Sequence, residues 1–263
     1  MPDTNPRITD VKLLFSVTLL AGEILLSSGA EIYRVEDTIS RLLALSGYAG
    51  GESFVTPSCI LLTLRTPDSE AMTTLRRVPV RENNLSRVAE TNTVARALTD
   101  GKINLEDAYT RLVLIREKKG FPVWVKSLIL LFLPACFFLF FGGRSLTAGM
   151  ICLLTGAWLA LSANLLVRQS VVPFFQDLIR AAGAAFLASL AGRYLATQDF
   201  SNLIIISSIM PLVPGVAITT AIRDVLHGDY QSGTARAAEA FIIAAAVAVG
   251  VGAGIFLYRL LPL

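Results

Sequence analysis

From residue 121 onward the chain passes through apolar runs of about 20 residues, the length that crosses a ~30 Å hydrocarbon core as a helix. Lipid offers no partner to a backbone N–H or C=O, so such runs must close their hydrogen bonds internally. Five spans are expected, over 121–141, 146–167, 171–196, 200–222 and 237–261. They predict an α-helical membrane bundle of five transmembrane helices across residues 121–263. The first 120 residues read differently, with frequent Arg, Asp and Glu and shorter apolar segments, so a separate α+β domain over 1–120 is expected, with the boundary near Lys118-Lys119-Gly120.

Charge orients this arrangement. Arg116, Lys118, Lys119, Lys126, Arg168, Arg223 and Arg236 fall at one set of span ends, against Arg144, Arg193 and Arg259 at the other. The positive-inside rule then makes the first domain cytoplasmic and puts the carboxyl terminus outside. Residues 1–10 carry two Asp against one Arg and no clean small-residue cleavage site, so no cleavable signal is expected. The formal charge of +3 is too small to point to nucleic acid. Cys59, Cys136 and Cys152 lack metal-ligand spacing and are expected as buried free thiols, with neither metal nor cofactor implied.

Within the first domain, the apolar run 13–26 is interrupted by Glu23 and is short for a span, which suggests a buried or interface-lying helix. Ile32, Val35, Ile39 and Leu42 form a helical stripe after a break at Ser27-Ser28-Gly29, where a cap is expected. Glu31, Arg34, Asp37 and Arg41 alternate in sign at helical spacing and read on their own as a solvated face laced by ion pairs. Strand content at 53–56, 59–64 and 73–80, with turn residues at 66–69, predicts a small antiparallel sheet. Helical spacing resumes over 85–98 and again from Asn104, a cap with Asp107 three residues on.

The fourth span is interrupted by Met210-Pro211-Leu212-Val213-Pro214-Gly215 and continues through Thr219-Thr220 to Arg223-Asp224. Two prolines and a glycine free backbone groups that hydrocarbon leaves unsatisfied, so the break must face protein or a wet cavity, as substrate sites in secondary transporters do. A half-helix starting near Pro214 would turn its positive end toward an anion such as a carboxylate. Asp177 and Arg180 can pair near the inner end of the third span. Glu239, one turn into the last, is a proton-carrier candidate; His227 reads as a solvated loop residue. Dense Gly and Ala at 181–185 and 250–254 read as close helix packing.

Two stretches carry a family resemblance: Ser28-Gly29-Ala30-Glu31-Ile32-Tyr33-Arg34-Val35-Glu36-Asp37-Thr38, and Pro211-Leu212-Val213-Pro214-Gly215 with Ala221-Ile222-Arg223-Asp224, Gly228-Asp229 and residues 233–240. In that order they resemble the threonine/serine exporter family over nearly the whole chain. The resemblance implies proton-driven export of threonine and serine across the bacterial inner membrane, and it turns Glu31, Tyr33, Arg34, Glu36 and Asp37 into a functional cluster. Long members have about ten spans, so this five-span chain is similar to the short YjjP-like subunits associated with succinate export. Those are completed by a small YjjB-like membrane partner, which implies a hetero-oligomer.

The leading expectation is therefore a secondary exporter subunit for a small carboxylate. Pro211, Pro214 and Gly215 would shape the site, Thr219 and Thr220 would donate hydroxyls, and Arg223 would supply counter-charge. Proton coupling or gating would fall to Asp224, Glu239, Asp177 and Arg180. Two other readings stand beside it: a membrane-tethered hydrolase, which lacks G-x-S-x-G or metal-binding spacing, and a regulatory or assembly subunit whose soluble domain senses a metabolite.

Overall fold

The computed structural model describes residues 10–48, 50–65, 71–78, 82–118, 120–195 and 201–261. The turn expected at 66–69, the end of the third strand expected at 79–80, Lys119 at the expected boundary, and residues 196 and 200 at expected span ends lie outside the described residues. Contacts divide the chain into two units, Met1–Gly120 with Thr219–Arg236, and Phe121–Ile218 with Ala237–Leu263.

In the first unit, helix α1 (Val11–Ser27) runs through the centre. Phe15, Leu19, Leu25 and Leu26 pack toward helix α2 (Ile32–Ala44) and the sheet, while Val17, Leu20, Ala21 and Ile24 pack toward helices α3 (Leu85–Thr99) and α4 (Leu105–Glu117). A helix covered on both sides must be apolar nearly all round, which is why its sequence resembles a short membrane span. Gly22 keeps α1 close to its neighbours, since a Cβ there would lie 2.9 Å from Cδ1 of Ile39 and 3.2 Å from Cδ1 of Ile60. Glu23 stays half-buried at the edge and pairs with Arg76 at 3.6 Å.

Three strands, β1 (Gly50–Thr56), β2 (Cys59–Arg65) and β3 (Met72–Arg77), form an antiparallel sheet in the order β1-β2-β3. The two-residue link Pro57-Ser58 sets the register Val55↔Ile60 and Phe54↔Leu61. Period-two alternation then sends Ile60, Leu62 and Leu64 into the core. Asn84 and Asn104 cap α3 and α4, accepting from the N–H of Arg87 at 3.1 Å and of Asp107 at 2.7 Å.

The second unit holds helices α5 (Val123–Phe140), α6 (Leu146–Arg168), α7 (Pro173–Leu195) and α8 (Ser201–Ile209). It continues through a 3-10 turn (Met210–Leu212) into the start of helix α9 (Gly215–Leu226), as far as Ile218, and it takes in helix α10 (Tyr230–Arg259) from Ala237 onward. Helices α5, α6, α7 and α10 are each long and apolar enough to cross a membrane, and the bent pair α8/α9 makes a fifth candidate. Small residues bring these helices together. Gly156 of α6 lies against the Leu131 carbonyl of α5, Gly250 and Gly254 of α10 against the Leu178 and Ala182 carbonyls of α7, and Gly183 beneath Trp158.

Polar side chains inside this unit are partnered across helices. Thr155 of α6 bonds Ser208 of α8 at 2.8 Å, Asn164 donates to Ser127 at 3.0 Å, and the Trp158 indole donates to the Arg180 carbonyl at 3.1 Å. Of the cysteines, Cys152 is buried, Cys59 half-buried and Cys136 exposed, and all three are free thiols. The exposure of Cys136 departs from the expected burial because it sits on the outward face of α5.

A charge cluster at the start of the second helix

The site is built on the turn between α1 and α2. Gly29 adopts φ +83°, a left-handed conformation that side-chain-bearing residues resist, and a Cβ there would strike the Asn83 side chain. The turn is stitched from outside, with the N–H groups of Glu82 and Asn84 donating to the carbonyls of Ser27 at 2.8 Å and Ser28 at 3.0 Å. The cap expected from Ser27, Ser28 or Gly29 falls instead on Glu31, whose side chain makes no capping bond.

The capping role passes to a residue far away in sequence. Asp224 of α9 accepts from the N–H of Ile32, the first residue of α2, at 3.4 Å across a separation of 192 residues. Its side chain is fully buried, and a carboxylate at a helix start satisfies an orphan N–H and the positive end of the helix dipole together. Arg236 of α10 completes the clamp. Its Nη2 donates to the Ala30 carbonyl at 3.0 Å, and its Nε lies 3.1 Å from Oδ2 of Asp224, an ion-pair contact whose direction falls outside hydrogen-bond geometry. Gly233 makes the approach possible, because a Cβ there would meet Val225 and the Ala221 carbonyl.

Around this buried pair lies a second, wetter layer. Glu31, its side chain 10 % exposed, forms an ion pair with Arg34 at 2.6 Å and accepts from Arg223, whose side chain is 57 % exposed. Arg34 also donates to the Tyr33 hydroxyl at 3.1 Å, and the Tyr33 ring stacks on His227 with centroids 4.0 Å apart and planes 2° from parallel. Two carboxylates and three guanidinium groups thus meet at one turn.

The residues singled out by sequence divide accordingly. Glu31, Tyr33, Arg34, Arg223 and Asp224 come together. Glu36 lies one turn along α2, with one oxygen accepting from the Val55 N–H of β1 at 3.0 Å. Asp37 pairs with Arg41 at 3.0 Å on the exposed side of the helix. Asp177 and Arg180 pair at 3.4 Å on α7, and Arg180 also donates to Gln176 at 2.9 Å. Pro211, Pro214 and Gly215 form the break, where the chain leaves helical geometry at Val213 and the two halves bend by 58°. Thr219 and Thr220, like Gly215, are already engaged in interactions of their own, as is Glu239 on α10. Among the described residues, no group of three or more His, Cys, Asp or Glu side chains is placed to hold a metal ion.

Sequence reasoning missed Arg236 as a site residue, reading it as a charge at a membrane edge; His227 lies exposed in the turn after α9, as expected of a loop residue, and what was missed is its stacking on Tyr33. No local signal marks Arg236, because its partners, Asp224 and the Ala30 carbonyl, lie on other elements.

Burial raises the Glu36 carboxyl above its ordinary range, the Val55 N–H pulls it back, and the nearby Asp229 charge adds to the rise. A carboxyl raised in the folded state contributes stability that is full below its unfolded value, near pH 4.3, and is lost as pH climbs through the folded value. Glu36→Gln keeps an acceptor for Val55 and removes the charge. It is expected to raise the melting temperature near neutral pH, with the gap over wild type closing in acid; a gap independent of pH would contradict this account.

The chain matches the family described as "Putative threonine/serine exporter" over residues 16–258. It is 23% identical over 265 residues to the "Probable threonine/serine exporter" of Mycobacterium tuberculosis, an alignment covering 94% of this chain and 47% of that protein. It is 26% identical to the "Probable succinate transporter subunit YjjP" of Klebsiella aerogenes, over 86% of this chain and 87% of that protein. The same is true of the protein of that name in Escherichia coli, over 88% and 89%. The chain thus spans about half of the mycobacterial protein and most of the other two. No solved structure matches.

Proposed function

This chain belongs to the threonine/serine exporter family, and on that premise we propose that it is one subunit of a secondary exporter. It moves a small carboxylate, a succinate-like dicarboxylate or threonine and serine, out across the bacterial inner membrane at the expense of the proton motive force. The observation that carries this reading is the 58° break at Val213-Pro214 between two apolar helices that together make a candidate span. A hydrocarbon environment tolerates non-helical backbone only against protein or a water-filled path. The coarser assignment, a multi-pass membrane protein of an exporter family, rests on the family match and the apolar helices.

In this reading Pro211, Pro214 and Gly215 shape the path, and Thr219 and Thr220 exchange their present partners for the cargo. Asp224, Glu239, Asp177 and Arg180 are the candidates for proton coupling or gating. A small YjjB-like membrane subunit supplies the remaining spans, as the coverage of the YjjP relatives suggests, and the first unit is cytoplasmic. The test is reconstitution in vesicles with and without that partner, following labelled succinate and threonine against an imposed pH gradient. Gradient-dependent efflux that Pro214→Ala reduces is expected. No flux in either preparation would end the proposal.

A second reading has one observation in its favour. Arg223 is held by Glu31, so its charge is committed to the cluster at the start of α2. The cluster then serves regulation, and Arg223→Ala alters the dependence of flux on conditions while its maximum survives. The exporter family weighs against the hydrolase reading.

A further inference from the structure

We propose that the groove between α2 and α3 is a regulatory binding site for a small organic dianion, with Arg96 and Arg41 as its anion-binding residues. The groove has a volume of about 340 Å³, lined by Tyr33, Arg34, Arg41, Asn92, Arg96 and Thr99 among others. That volume lies within the range of small-molecule sites and exceeds what a four-carbon diacid fills. Its floor is apolar and buried at Leu42 and Ala95, so it is a concavity with a dry base.

The charge on its walls is one-sided. Three guanidinium groups face one carboxylate, Asp37, and Asp37 is occupied by the Nε and Nη2 of Arg41 at 3.0 Å each. That fork uses part of the five-donor guanidinium and leaves its remaining N–H groups for another acceptor. Among the described residues, the side chains of Arg96 and Asn92 have no partner, and they lie one helical turn apart on the same face of α3. An isolated arginine on a helix is ordinarily a solvated charge. Here a free guanidinium, a free amide and a half-used guanidinium converge on one hollow, an arrangement suited to a pair of anionic oxygens.

The groove also touches the charge cluster. Arg34 lines it and holds Glu31, while Tyr33 lines it and stacks on His227. A dianion that draws Arg34 toward the groove takes it from Glu31 and leaves that carboxylate to Arg223. Occupancy therefore changes the partners at the start of α2. Binding itself does not depend on the exporter reading; its regulatory consequence does.

The test is calorimetric titration of the full chain in detergent with succinate and, separately, with inorganic phosphate, at constant ionic strength. Saturable binding is expected, weakened roughly ten-fold or more by Arg96→Ala, as loss of a charge-assisted contact requires. Arg96→Lys should restore part of it, and Arg111→Ala, an exposed arginine of α4 outside the groove, should leave it unchanged. Tighter succinate binding identifies a dicarboxylate effector, and tighter phosphate binding a phosphate-bearing one. The proposal is overturned if neither anion saturates, if Arg96→Ala binds as wild type does, or if Arg111→Ala weakens binding as much as Arg96→Ala. Absent flux in vesicles with intact binding would count against the exporter alone.

Discussion

Arg236→Met destabilises the first unit by about 3–5 kcal/mol, because it leaves the buried Asp224 carboxylate without its counter-charge. The side chains of Asp224 and Arg236 are 0% and 7% exposed, so water does not reach in to take over the lost role. The substitution also orphans the Ala30 carbonyl, which accepts from Arg236. Replacing both charges, Asp224→Leu with Arg236→Met, removes the desolvated pair together and is expected to recover much of the loss, less the cap on Ile32. With two units the whole-chain melt need not be two-state. Amide hydrogen exchange is therefore the sharper readout, with protection over residues 32–36 falling in the single variant. A double variant as damaged as the single would show that the pair is not the clamp.

Gly156→Val separates α5 from α6. A Cβ at that position would collide with the Leu131 carbonyl and come within 2.9 Å of the Leu130 oxygen, both main-chain atoms that no rotamer change can move. Overpacking of this kind costs about 1–3 kcal/mol when the backbone can shift. The same interface carries the Asn164–Ser127 hydrogen bond, so the damage has a reporter two turns away. Cysteines placed at those two positions are expected to cross-link readily in the parent chain and slowly when Gly156→Val is added. Gly156→Ala should fall between them. Equal cross-linking in all three would mean that the helices do not meet at Gly156.

Periodicity and turn chemistry made much of this architecture legible in the sequence. The stripe Ile32, Val35, Ile39, Leu42 is the buried face of α2, and the strands around Pro57 and the cap Asn104 are local signals answered locally. The paired prolines likewise read as a break because proline cannot donate within a helix. What sequence could not carry was partnership at a distance. Nothing in the spacing of Asp224 says that its carboxylate caps a helix beginning at residue 32. Nothing around Arg236 separates a membrane-edge charge from a buried clamp, since both are an arginine beside alanines. The alternating charges after Glu31 are ambiguous for the same reason. Asp37–Arg41 is the solvated pair that the pattern describes, while Glu31, of the same residue type as its solvated neighbours, is drawn inward by a base supplied from α9.

Because the first unit is assembled from residues 1–120 and the later stretch 219–236, its completion must wait on synthesis. When the ribosome has made the first 120 residues, the start of α2 still has no acceptor for the Ile32 amide and no donor for the Ala30 carbonyl. Those groups find their partners after the apolar segments through Ile218 have been translated and 219–236 has followed. Contacts of such long separation form late and slowly. A nascent chain halted before residue 219 would therefore leave this helix end without either of those partners.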